Sequence, residues 1–241
     1  MWRVAAAAVW GTAAGWLMLP ALYRLSVPAG TPWRSTCPDG HVLPSGIRGW
    51  LPGPTLTHRN AAGHWQIAAP VATLLVCALL ATVTGSHPEL LAWLLLAPLG
   101  MLLALVDARV HRLPDALTLP FAAAALALLA AASWLPDARG SWTTALLGAA
   151  TLGAAFLLMF LISPRSMGFG DVKLALTIGA VLGWYGWRTL LLGVFIGYVI
   201  AAAHGIALLA RGKATAKTAL PFGPSLLLGA LLGVVLGALL A

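Results

Sequence analysis

Two aspartates carry the chemistry open to this chain. Asp171 stands in Met167-Gly168-Phe169-Gly170-Asp171-Val172-Lys173-Leu174, between a two-glycine turn and a long apolar run. Asp107 closes an earlier apolar run, in Leu105-Val106-Asp107-Ala108-Arg109-Val110-His111-Arg112-Leu113-Pro114-Asp115. A charge is expensive in such surroundings, so each acid is a functional candidate. Two carboxylates in one site share a proton, because like charges close together do not both ionise readily. The ionised member activates a water and the protonated member donates to a carbonyl, which hydrolyses a peptide bond without a metal or a nucleophilic side chain.

The flanking residues suit that chemistry. Gly168 and Gly170 remove side-chain bulk, letting the backbone turn and a peptide approach Asp171. Pro164 ends the preceding helix, and Arg109, Arg112 and Lys173 stand near the acids in sequence. Simpler roles compete. Asp171 suits an N-cap at the positive end of a helix, and Asp107 suits a solvated helix end.

The elements that must position these acids are membrane helices. Of the 241 residues, 61% are hydrophobic and only 8% charged, against roughly 25% charged in soluble domains. An all-α integral membrane protein follows. Spanning a bilayer takes roughly 17–25 apolar residues. About eight transmembrane helices are expected, over 4–22, 66–85, 89–106, 116–134, 142–162, 172–186, 187–210 and 219–240. The sixth and seventh are parted only by Gly183-Trp184-Tyr185-Gly186-Trp187-Arg188, so one long kinked helix is the competing reading there. Met1 to about Leu22 reads as a retained first span, since no small-residue cleavage site follows it.

The net charge of +8 lies in the loops and needs no nucleic acid partner. Arg24, Arg34, Arg48, Arg59, Arg109, Arg112, Arg165, Lys173, Arg211, Lys213 and Lys217 all follow odd-numbered spans, against Arg3, Arg139 and Arg188 on the other side. The positive-inside rule makes the first group cytoplasmic and both termini external. Asp107 then ends the third span, and Asp171 begins the sixth, on one side of the bilayer. Gly193 and Gly197, and Gly229, Gly233 and Gly237, have the small-residue spacing of close helix packing. Cys77 reads as a small buried hydrophobe. His87, His111 and His204 receive no role beyond a local effect of His111 beside Asp107.

At these residues the sequence resembles the type IV prepilin peptidases, bacterial members of the GxGD aspartyl proteases. That family's first motif is an Asp followed six residues later by Leu/Ile-Pro-Asp/Asn, as in Asp107 with Leu113-Pro114-Asp115. Its second, Gly-x-Gly-Asp-x-Lys-Leu, is matched by Gly168 through Leu174, with Gly170, Asp171 and Lys173 in place. Leu220-Pro221-Phe222-Gly223-Pro224 resembles its Pro-Phe-Gly-Pro, and Gly15 through Tyr23-Arg24-Leu25 is a looser match to its first helix. The strong resemblance spans about 90–225.

What the resemblance implies is an endopeptidase with Asp107 and Asp171 as its catalytic pair. Gly168, Gly170, Lys173, Pro114, Pro221, Gly223 and Pro224 are the supporting motif residues. It would act on prepilin or pseudopilin precursors of type IV pilus or type II secretion systems, cutting a short basic leader at the cytoplasmic face of the bacterial inner membrane. The partners implied are the precursor and the lipid bilayer, and peptidase chemistry of this kind takes no cofactor.

One region departs from the family. Many members also methylate the new N-terminus and carry two Cys-x-x-Cys pairs in the first cytoplasmic loop. Here that loop, 23–65, has only Cys37, and N-methylation is in doubt; S-adenosylmethionine is a cofactor only if it is retained. Cys37, His41, His58 and His64 have zinc-compatible chemistry without a recognised spacing. The expected division is 1–65, a first helix plus a degenerate relic of the methylation region, and 66–241, the peptidase membrane domain. Two other functions fit the acids: a proton-coupled transporter using Asp107 and Asp171, and a helical scaffold for an assembly apparatus.

Overall fold

The computed structural model describes residues 1–28, 30–37, 40–51, 65–164, 167–212 and 221–240. Among them there is no strand, only an isolated antiparallel bridge between Thr36 and Val42. The helices are α1 (Trp2–Leu17), α2 (Leu19–Leu25), α3 (Trp65–Thr84), α4 (Glu89–Val110), α5 (Asp115–Ser133), α6 (Trp142–Ile162), α7 (Phe169–Gly183), α8 (Trp187–Ala210) and α9 (Gly223–Leu240). With α1 and α2 taken as one stretch, seven of these are long and apolar enough to cross a membrane. This is an all-helical, multi-pass membrane protein.

The remaining helix, α7, has 15 residues, and at 1.5 Å per residue it is roughly 22 Å long, short of the roughly 30 Å hydrocarbon core. It survives because other helices enclose it. Leu174, Ala175, Ala180 and Leu182 are fully buried, and Ile178 nearly so. Small residues bring α6 onto it: a Cβ added at Gly183 would lie 2.6 Å from the Thr144 carbonyl oxygen, and one at Gly179 2.8 Å from Ala149 Cα. The sequence reading did not single out this α6–α7 seam.

The competing reading of one long kinked helix over 172–210 is wrong. Gly186 takes φ 96°, a backbone region that favours glycine, and the chain reverses there. Leu182 of α7 then packs against Gly193 of α8. The α8–α9 glycines do pack as their spacing suggests. A Cβ at Gly229 would lie 2.5 Å from the Gly193 carbonyl oxygen and 2.6 Å from Gly197 Cα. Gly237 instead faces the Tyr185 ring.

The first span is broken at Met18, where Pro20 opens α2. Gly11 and Gly15 of α1 sit against the α3 backbone at Thr73 and Pro70. Cys77 is fully buried beside Ala7 and Ala81, as a small hydrophobe. Part of the 23–65 loop packs on the helices: Tyr23, Cys37 and Leu43 form a small core, and Arg24 lies over the Trp50 ring at 5.1 Å.

Candidate active site

Four helix ends converge at one end of the bundle: the end of α4 and the starts of α5, α7 and α9. Asp107 lies in the last turn of α4, which runs on to Val110 and is closed by His111 in the left-handed region at φ 50°. Leu113-Pro114 then leads into α5: the Pro114 carbonyl accepts from Leu117 N at 2.9 Å and Thr118 N at 3.1 Å, which sets Asp115 at the helix start. Gly168 occupies the N-cap position of α7, so Asp171 is the third helical residue.

The simple roles of the acids are met only in part. Asp171 is the third helical residue rather than the N-cap, yet its carboxyl accepts from the Gly168 backbone N–H at the positive end of α7. Asp107 is only 5% exposed, so it is not a solvated helix end. Its Oδ2 accepts the backbone N–H of Gly223 at 3.0 Å. A Cβ at residue 223 would stand 2.8 Å from that oxygen, so glycine is what allows the backbone to come this close.

The half-buried Asp171 carboxyl lies within electrostatic reach of Asp107. Among the described residues neither has a salt-bridge partner. Lys173 instead pairs with Asp115 at 2.6 Å, tying the start of α7 to the start of α5, with its Nζ 4.6 Å from the Phe169 ring centre. Arg109 lies over the Trp65 ring at 5.2 Å and Arg112 donates to the Pro28 carbonyl at 3.1 Å, so both hold the loop region. His111, which closes α4, lies within electrostatic reach of Asp107.

The two motif glycines differ. A Cβ at Gly170 would lie 2.8 Å from Leu113 Cβ, so this glycine seats the second aspartate motif on the first. A Cβ at Gly168 would be in ordinary contact, 3.5 Å from Asp171 Oδ2, and its φ of −72° suits any residue. Packing on Leu113 requires glycine at 170, whereas the position that faces the Asp171 carboxylate is Gly168.

Two features were not read from the sequence. Phe156, Tyr198 and Phe222 form an aromatic wall, with Tyr198 and Phe222 ring centres 5.1 Å apart, and Tyr198 lies within the electrostatic reach of Asp171. Phe222 belongs to a noted motif; the other two carry no local signal. An apolar cavity of about 290 Å³ also runs beside the site, lined by Trp93, Gly100, Ala108, Phe121, Thr177 and Pro224 among others.

The type IV leader peptidase family matches residues 90–206, a stretch that contains both aspartates. The chain is 32% identical to a prepilin leader peptidase/N-methyltransferase of Burkholderia pseudomallei over 234 residues, covering 88% of this chain and 68% of that protein. The chain belongs to the type IV leader peptidase family. It is also 32% identical to the prepilin leader peptidase/N-methyltransferase of Pseudomonas putida, over 79% of this chain and 69% of the relative. Leader peptidase HopD of Salmonella typhimurium is 35% identical over 53% of this chain and 81% of its own length. No solved structure matches the chain.

The leader peptidase match stops short of Pro221, Gly223 and Pro224, yet the fold brings that segment onto Asp107. Pro221 is half-buried at its approach, and Pro224 lines the cavity. Of the zinc-compatible set, Cys37 Sγ and His41 Nδ1 are 3.5 Å apart, while His58 and His64 lie outside the described residues. Among the described residues no group of three or more His, Cys, Asp or Glu gathers. Leu220 of the third motif, and Arg59, Arg165, Lys213 and Lys217 of the positive loops, also lie outside the described residues.

Proposed function

We propose that this leader peptidase cuts the basic leader of prepilin- or pseudopilin-like precursors with Asp107 and Asp171 as an aspartyl pair. The observation that carries the reading is the joining of three distant segments: Asp107 held by the Gly223 N–H, with Asp171 within its electrostatic reach. The pair holds one proton. The ionised carboxylate takes a proton from water as that water attacks the scissile carbonyl carbon, and the protonated one donates to the carbonyl oxygen. Collapse of the tetrahedral species returns a proton to the leaving amine. No covalent enzyme intermediate forms.

The positive loops support a cytoplasmic site in the inner membrane, with the precursor's apolar segment in the bilayer. Residues 1–65 then hold the first helix and a relic of the methylation region, and 66–241 the peptidase body. Cleavage makes no use of the methyl transfer named for the relatives. S-adenosylmethionine enters only if that second activity persists in a loop with the single cysteine Cys37.

The test is leader cleavage of a co-expressed prepilin by wild type, Asp107→Asn and Asp171→Asn, read by mass spectrometry. Loss in both variants is expected. Unchanged cleavage in both returns the acids to transport or scaffold roles. The same spectrum reads methylation, as a one-methyl mass gain on the mature N-terminus.

A further inference from the structure

The apolar cavity beside the aspartates has a feature that the peptidase reading does not use. It follows α4 from Trp93 to Ala108, roughly 22 Å along the helix, and α3, α5, α7 and α9 complete its wall. That wall is hydrocarbon except for one hydroxyl, on Thr177. Thr177 is 2% exposed, and its Oγ1 has no hydrogen-bond partner among the described residues. A buried helical threonine ordinarily bonds back one turn, as Thr73 does to the Ala69 carbonyl at 2.8 Å. Thr177 does not, and α7 places it roughly 9 Å beyond Asp171, away from the aspartate end. Trp93, the other donor on the wall, has its indole N–H committed to Tyr185 Oη at 3.3 Å.

A buried hydroxyl without a partner is costly to keep. Water does not answer it, because a held water needs several polar partners and this wall offers one. A charged headgroup is excluded by the same apolar wall. Size narrows the ligand further. The volume is about 290 Å³, and since an apolar cavity of about 150 Å³ holds benzene, about twelve non-hydrogen atoms fit here. Spread over roughly 22 Å, that volume is one chain wide, far short of a helix roughly 10 Å across such as a precursor's apolar segment. The way in is from the lipid. Ala108 of α4 and Leu228 of α9 line the cavity and are exposed, and Met101 and Ala104 are partly so. At Gly100 a Cβ would stand 3.6 Å from both Leu227 Cδ2 and Phe121 Cζ, so packing does not require glycine there and its missing side chain widens the cavity.

We propose that this cavity binds a neutral single-chain amphiphile from the bilayer, a long-chain alcohol in class, with its oxygen on the Thr177 hydroxyl. Ala108 follows Asp107 and Pro224 follows Gly223, so the chain lies against the neighbours of both partners in the Gly223–Asp107 bond. The test is photolabelling of the full chain in detergent with a diazirine-bearing octanol, the labelled peptides being read by mass spectrometry. Saturable labelling is expected within α4 and α9, displaced by decanol and much less by decane at equal concentration. Thr177→Val keeps the shape and is expected to raise the half-labelling concentration about fivefold, the contribution of one hydrogen bond, while Tm stays level or rises because an unsatisfied hydroxyl is gone. Ala104→Phe fills the entrance and is expected to abolish labelling. Labelling that does not saturate, or that is unchanged in Thr177→Val, overturns the site. Decane competing as well as decanol makes the cavity a slot for lipid tails, and displacement by a precursor's apolar segment makes it a substrate groove; either overturns the proposal. If Ala104→Phe does not fold, Thr177→Val alone decides. No readout here requires cleavage, so failure of this site and failure of the aspartyl reading are told apart.

Discussion

The Gly223 backbone N–H donates to Asp107 Oδ2 at 3.0 Å, across a separation of 116 residues. The bond fixes one carboxylate oxygen and leaves the rest of the acid free to serve water and substrate. Gly223→Ala sets a Cβ 2.8 Å from that oxygen, so the acid or the α9 start must shift. A misplacement near 1 Å costs about 10²-fold in rate. The expected result is a loss of at least about tenfold in cleavage with little change in unfolding temperature, read by precursor cleavage and thermal melts of one preparation.

Asp107→Asn and Asp171→Asn each remove half of the proposed acid–base pair. Cleavage is expected to fall by about 10²–10⁴-fold in either, the range that general acid–base groups supply. The double variant is expected to be no worse than the worse single one, since the two act as a unit. Additive losses count against a shared proton.

The pH profile follows from the same sharing. Below the lower macroscopic pKa both acids are protonated and no base remains; above the upper one both are ionised and no acid remains. Rate against pH is expected to be bell-shaped, with both limbs belonging to the pair rather than to one residue. A profile with a single limb removes one of the two roles.

Gly168 and Gly170 should part company. Gly170→Ala drives a Cβ into Leu113 and separates the two motifs, whereas Gly168→Ala meets only ordinary contacts. Cleavage is expected to fall at least about tenfold in Gly170→Ala and to stay within about threefold of wild type in Gly168→Ala, the contrast between overpacking and available space. Equal losses in the two show that Gly168 has a duty in substrate approach.

The Lys173–Asp115 pair has a side chain 72% exposed on the Asp115 side, so its value to stability is at most about 1 kcal/mol. Its worth lies in register between α5 and α7. Lys173→Met and Asp115→Asn are each expected to slow cleavage more than they lower Tm, and the swap Lys173→Asp with Asp115→Lys to restore part of the rate. A swap no better than either single variant removes the pair from the positioning of Asp171.

Stability is more exposed at the α8–α9 seam. Gly229→Ala forces a Cβ against the backbone at Gly193 and Gly197, which has no flexible side chain to yield. A loss of about 1–3 kcal/mol is expected, measured by thermal or denaturant unfolding in detergent.

The sequence by itself determined the class and singled out the candidate acids. Helices in lipid must be long and apolar, so composition exposes them, and a carboxylate at the edge of an apolar run stands out against that background. The charged loops added which helix ends share a side, and so placed Asp107 and Asp171 in one layer. Tertiary structure decided what local pattern does not encode. Whether 172–210 turns back depended on the backbone at Gly186, and the short α7 persists only because α6 and its other neighbours enclose it. Lys173 stands two residues from Asp171, yet its charge is spent on Asp115 of another helix. Phe156 and Tyr198 reach the site from helices whose sequences give no sign of it. The distinction is physical: the cost of leaving polar groups in lipid is set residue by residue along the chain, while close packing and hydrogen bonds between helices depend on which surfaces the fold brings together.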